Sequence, residues 1–134
     1  MSEDAASRHQ QRERALSLLY EAELKGQSPH EVLEGLAVPP DAYVRTLLEG
    51  AEATRAEADR RITDAAVGWP LDRMAVIDRL VLRMAVAELL DQDGPPLAVV
   101  IDEAVELVKA YSTDESGSFV NGILSAIAPA LRPG

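Results

Sequence analysis

The sequence contains no cysteine. Disulfides, thiolate chemistry and cysteine-based zinc sites are therefore excluded. Histidine is nearly absent too. His9 and His30 are the only two, and neither sits in a metal-binding spacing such as HExxH. Aromatic residues make up only 4% of the 134 residues, so a core must be aliphatic and alanine-rich. No apolar run approaches the roughly 20 residues that span a bilayer. The opening residues, MSEDAASRHQQRER, lack the apolar centre of a signal peptide. A cytoplasmic protein without a membrane role is the expectation. Strand-type alternation, internal repeats, a phosphate loop and a GxSxG nucleophile motif are all missing. No paired acid/base site is visible. No enzyme activity, cofactor or metal is expected.

What is present is helical patterning and an excess of acid. The formal charge is -10, which weighs against a generic nucleic-acid coat but allows a small basic site on an acidic body. Apolar residues make up 47%, enough for a core. Ala15, Leu16, Leu19 and Ala22 share one face of a helix predicted from Ala5 to Lys25. Gly26 stops it, and Ser28-Pro29-His30-Glu31 reads as a capping box opening a short helix to about Leu36. A third helix is predicted through Val44, Leu47 and Leu48. Thr54-Arg55-Ala56-Glu57 is a further capping-box pattern, opening a fourth that ends near Val67. Gly68-Trp69-Pro70 is the clearest internal boundary, because Pro70 disfavours helix at Trp69. The sole tryptophan is expected to plug a gap there. A helix from about Met74 to Leu90 is apolar nearly all round, as a central buried helix must be. Two more follow, Ala98 to Tyr111 and about Ser116 to Ala130, separated by a turn and cap at Ser112-Thr113-Asp114-Glu115. The expectation is an all-α protein of two helical lobes, residues 1–67 and 68–134.

Three features carry candidate function. Arg8 and Arg12, in the segment Arg8 to Arg14, lie four apart on one helix face and repel each other mildly. A phosphate would relieve that and suits the guanidinium fork; a solvated helix end is the alternative. Arg79 and Arg83 occupy the narrow polar strip of the central helix, either for an external anion or for internal pairing with groups such as Asp72. In Ser118-Phe119-Val120-Asn121-Gly122, an Asn-Gly pair inside a helix costs roughly 1 kcal/mol or more relative to alanine. Such local conflicts mark close packing or function. Phe119, the only phenylalanine, is placed either to stack on an unpaired base beside the Asn121 amide or to join the core.

Four stretches, in order along the chain, resemble the Nus factor B family: RERALSLLY from Arg12, IDRLVLRMA from Ile77 with Glu88-Leu89-Leu90, PLAVVIDEAVELV from Pro96, and FVNGIL from Phe119. The resemblance covers nearly the whole chain. It implies two helical bundles with seven helices. It implies binding of single-stranded box A RNA from ribosomal leader transcripts, together with the small-subunit ribosomal protein that acts as Nus factor E, within an antitermination complex on RNA polymerase. Carried over by position, it implies RNA-binding roles for Arg8, His9, Arg12, Asp78, Arg79, Arg83, Glu115, Ser116, Phe119 and Asn121. Gln10 and Gln11 dilute the arginine cluster relative to the family pattern, so weak RNA binding by the isolated chain is expected, with the basic partner adding affinity. Acidic positions Asp102, Glu103 and Glu106 are candidates to meet that partner. A protein-only scaffold or homodimer is the alternative reading.

Overall fold

The computed structural model describes residues 2–133. Seven α-helices and one short 3-10 turn make up the fold, with no strand among the described residues. They are α1 (Ser2–Lys25), α2 (Pro29–Glu34), α3 (Ala42–Ala53), α4 (Arg55–Ala65), the 3-10 turn Leu71–Arg73, α5 (Val76–Leu90), α6 (Leu97–Tyr111) and α7 (Asp114–Leu131). The all-α expectation holds, and so does the number of helices.

Local chemistry sets most of the boundaries. Gly26 ends α1 at φ 64°, a left-handed stop that glycine adopts without steric cost. Ser28 caps α2 through a reciprocal capping box with Glu31, with Pro29 inside the first turn. Thr113 and Ser116 form the equivalent box at the start of α7. The expected box at Thr54 does not form. The Thr54 hydroxyl instead donates back to the Gly50 carbonyl at 2.7 Å. This is the back-bonding open to a threonine at the end of a preceding helix, and α3 runs into α4 with only that residue between them.

Helix α5 is the axis of the molecule. It packs against α1, α3, α4, α6 and α7. Leu80, Val81, Leu82, Met84, Ala85, Val86 and Leu89 are all buried on it, as its all-round apolar sequence requires. The buried residues form one cluster that runs from Ala15 to Leu131. The boundary at Gly68 therefore divides the chain in order but not its core, because α5 is shared by the helices on both sides. Trp69 plugs no gap. It is 51% exposed and lies edge-on to Phe119, ring centroids 6.5 Å apart at an interplanar angle of 67°.

Candidate nucleic-acid interface

The two N-terminal arginines have opposite fates. Arg12 is 1% exposed. Its guanidinium makes a bidentate pair with Glu88 on α5, Nε to Oε1 at 3.1 Å and Nη2 to Oε2 at 2.9 Å. The Tyr43 hydroxyl on α3 donates to the same carboxylate, and Glu103 on α6 stands 3.9 Å from Arg12 Nη1. Burial works to lower the Arg12 pKa, but the Glu88 hydrogen bonds and charge outweigh it and hold the group above its ordinary value. Burial, the hydrogen bond to Glu88 and its charge push the Tyr43 hydroxyl up. Arg12 thus joins four helices and has no face left for a phosphate. Arg8, one turn earlier, is exposed. Its guanidinium carbon sits 3.6 Å from the centre of the Tyr43 ring, a cation-π contact, and its Nη1 donates to Gln11 Oε1 at 3.3 Å.

His9 lies on the other flank of α1. Its Nδ1 is 2.9 Å from Glu103 Oε2, and that hydrogen bond raises the imidazole pKa, against partial desolvation and with help from the charges of Glu103, Glu13 and Glu106. Glu103 is thereby committed to His9 and Arg12 and is not a free docking carboxylate. Asp102 and Glu106 are exposed.

On α5, both candidate arginines are internally paired. Arg83 is 7% exposed and bidentate to Asp59 on α4, at 2.7 and 3.1 Å. Arg79 donates to Glu23 at 3.3 Å and to the Leu71 carbonyl at 3.2 Å, so its partner is Glu23 and not Asp72. These pairings leave Arg12 no free face for the phosphate expected of it, and of the two alternatives for Arg79 and Arg83 they supply internal pairing. A buried guanidinium already matched to a carboxylate would leave that carboxylate uncompensated if it turned outward.

Asp78 and Ser116 are also buried, and they meet. Ser116 Oγ donates to Asp78 Oδ2 at 2.8 Å, which ties the first turn of α7 to the first turn of α5. Glu115 is exposed and Phe119 half-buried. Asn121 is exposed, but it does not stand beside Phe119. At about 100° per residue, two positions apart on a helix point about 160° away from each other. Phe119 faces Trp69 on the α5 side of α7. Asn121 projects from the flank towards α6, the side on which Gly117 lies against the Lys109 stem. The single stack-and-amide corner expected from the sequence is therefore two separate surfaces. Gly122 serves no close contact, since a Cβ there would meet nothing within 4 Å.

An exposed strip nevertheless begins on the His9 flank of α1. From His9 it passes to Glu13, which accepts from the Tyr111 hydroxyl at 2.5 Å. Next comes a depression of about 490 Å³ lined by Glu13, Leu16, Ser17, Tyr20, Ile77 and Tyr111. A separate groove of about 460 Å³ has walls that include Trp69, Arg73, Asp78, Thr113, Ser116 and Phe119. The two hollows have no lining residue in common. Tyr20, Tyr111, Trp69 and Arg73 were not singled out from the sequence as site residues. No sequence signal marked them: the spacing places Tyr111 in phase with Ala104, Leu107 and Val108 on the apolar face of α6.

The profile of the NusB family matches residues 9–129. This chain belongs to the NusB family. Among NusB relatives, the transcription antitermination protein NusB of Saccharopolyspora erythraea is 48% identical over 128 residues, covering 91% of this chain and 86% of its own. The transcription antitermination protein NusB of Streptomyces griseus is 42% identical, covering 95% and 97%. The structure of T. maritima NusB superposes with a TM-score of 0.80 at 35% identity, covering 90% of this chain and 89% of that one. A NusB structure solved with NusE and double-stranded RNA superposes at 0.76 with 32% identity, covering 92% and 96%. The helical architecture seen here is thus the NusB fold.

Proposed function

We propose that this chain is a transcription antitermination factor that binds box A RNA of ribosomal leader transcripts jointly with the ribosomal protein acting as Nus factor E, as part of a complex on RNA polymerase in the cytoplasm. Family membership supports the class of function. The observation that carries the RNA reading is the exposed strip from His9 on α1 past Tyr20 and Tyr111, together with exposed Arg8 on the opposite flank of α1 and Phe119 in a separate groove on α7. In this reading Arg8 and His9 meet the phosphate backbone. Tyr20, Tyr111 and Phe119 offer rings for stacking. Glu115 borders the strand, and Asn121 reads a base or the partner from its own flank of α7. Arg12, Asp78, Arg79, Arg83 and Ser116 are the frame that holds those groups in place. Few exposed cations face the strip, so the salt slope of the isolated chain is shallow. The basic partner, drawn to an acidic surface that includes Asp102 and Glu106, adds the rest of the affinity.

Filter binding with box A RNA, with and without the ribosomal protein, tests this. The expected result is weak retention alone and strong, sequence-dependent retention with the partner. Equal retention of a scrambled RNA by the pair would overturn it, as would a stable homodimer that retains no RNA in either condition.

A further inference from the structure

Arg8 is exposed, yet its place is set from outside its own helix. The start of α3 grips it. Tyr43 stands in the first turn of that helix, and the Arg8 guanidinium carbon lies 3.6 Å above the centre of its ring. At that distance the planar group must lie flat, because an edge-on approach would drive a nitrogen into the ring. A flat stack engages the face of the guanidinium and leaves its N–H edge to acceptors. One N–H goes to Gln11 Oε1 at 3.3 Å. The Gln11 amide in turn donates to Asp41 Oδ2 at 3.4 Å, just before α3 begins. Gln11, expected only to dilute the arginine cluster, is thus part of the mounting.

The ring is itself held. Tyr43 is half-buried, and its hydroxyl donates to Glu88 on α5. The buried Arg12 grips that same carboxylate with two hydrogen bonds. The Arg12 guanidinium carbon is 5.8 Å from the ring centre, so one ring meets two cations. Their states differ: Arg12 is matched by Glu88 in the interior, whereas Arg8 faces solvent. Donation towards a carboxylate makes the phenol ring more electron-rich and strengthens its hold on the cation above it. Order therefore passes from core to surface, from Arg12 to Glu88 to Tyr43 to Arg8. A free arginine gives up rotamer entropy when it engages a phosphate. One already stacked has given up much of it on folding, which leaves less to lose on binding.

We propose that Tyr43 is a positioning residue for RNA binding: its ring, clamped by Glu88, pre-sets the Arg8 guanidinium for a phosphate of the strand, a role that rests on the reading of Arg8 as a phosphate contact. Tyr43 acts through Arg8 and not by a contact of its own.

Two substitutions separate the ring from the hydroxyl. Tyr43→Phe keeps the ring and loses the donor to Glu88; Tyr43→Leu loses both. In filter binding with box A RNA and the ribosomal partner, Tyr43→Phe should bind nearly as the parent does. Tyr43→Leu should bind about two- to fivefold more weakly, and adding it to Arg8→Ala should cost nothing further. Proton resonances of the Arg8 side chain should be moved upfield by the ring in the parent and in Tyr43→Phe, and released in Tyr43→Leu. Circular dichroism and thermal midpoints verify folding of each variant. If Arg8→Ala weakens binding but Tyr43→Leu binds as the parent does, Arg8 needs no mounting and the proposal is wrong, with the antitermination reading intact. A penalty for Tyr43→Leu that persists without Arg8, or that Tyr43→Phe shares in full, would place the effect in the fold and overturn it equally. Should Tyr43→Leu fail to fold, the parent spectrum decides: unshifted Arg8 resonances overturn the stack, and shifted ones with full binding by Tyr43→Phe uphold it. If Arg8→Ala retains RNA as the parent does, the reading of Arg8 as a phosphate contact fails and this one with it.

Discussion

The seam between α1 and α5 and the groove between α5 and α7 are built from similar residues and put to opposite use. At the seam, Arg12, Glu88 and Tyr43 close on one another and exclude water. At the groove, Asp78 keeps one oxygen unmatched, and Trp69 and Arg73 face outward. The lesson is that polar character on α5 does not by itself mark a binding surface. A satisfied buried network orders the fold, whereas an incomplete one leaves something for a ligand to complete.

The largest expected effect is at the closed end. Arg12→Ala should destabilise the protein by about 3–5 kcal/mol, because Glu88 is left buried and unpaired. Urea unfolding reads this directly, and Arg12→Met with Glu88→Leu together should recover most of it. A small loss on Arg12→Ala would mean that water or Tyr43 alone compensates Glu88, and the contrast drawn here would weaken. Next in size, Gly122→Ala should raise stability by about 1 kcal/mol, since the helix gains a better former and the added methyl meets nothing. If that gain comes with loss of RNA or partner binding, the bare backbone at Gly122 is a contact surface. At the open end, Trp69→Ala should shift unfolding by no more than about 0.5 kcal/mol, in keeping with a half-exposed ring whose aromatic contact is with Phe119.

The smallest effect is the pH response of His9. Its pKa is raised from 6.5 by the hydrogen bond to Glu103, against desolvation and with help from neighbouring acidic charges. Stability from this pair is complete below 6.5 and is lost as pH rises through the raised folded value. The side chain is 39% exposed, so the effect is modest and screened by salt. Urea midpoints measured at and above that range should fall slightly for the parent and stay level for His9→Gln.

Much of the fold was legible in the sequence because short-range chemistry dictates it. Gly26, Ser28 and the Ser112–Glu115 turn sit where they were expected, and the all-round apolar pattern of α5 did mean burial on every side. The site was harder to read. Arg8 and Arg12 look equivalent at a spacing of four, and both are in phase with the stripe made by Ala15, Leu16 and Leu19, so helical phase did not separate them. The partner of Arg12, Glu88, lies 76 residues away, a distance over which no local rule operates. Arg83 and Asp59 repeat the problem. Thr54 carried the right residues for a capping box but had the end of α3 within reach, and its hydroxyl turned to that carbonyl. For Phe119 and Asn121, closeness in sequence concealed the turn of the helix between them.

The bond between Arg12 and Glu88 also governs the order in which the molecule is assembled. A ribosome delivers the arginine of α1 long before its carboxylate on α5 emerges. Until then the first helix can pack on α2 and α3 through its apolar face, but its Arg12 guanidinium has no carboxylate from α5 to pair with. The surface that carries Arg8 and His9 is consequently completed late in synthesis, when the middle of the chain arrives to lock its beginning in place.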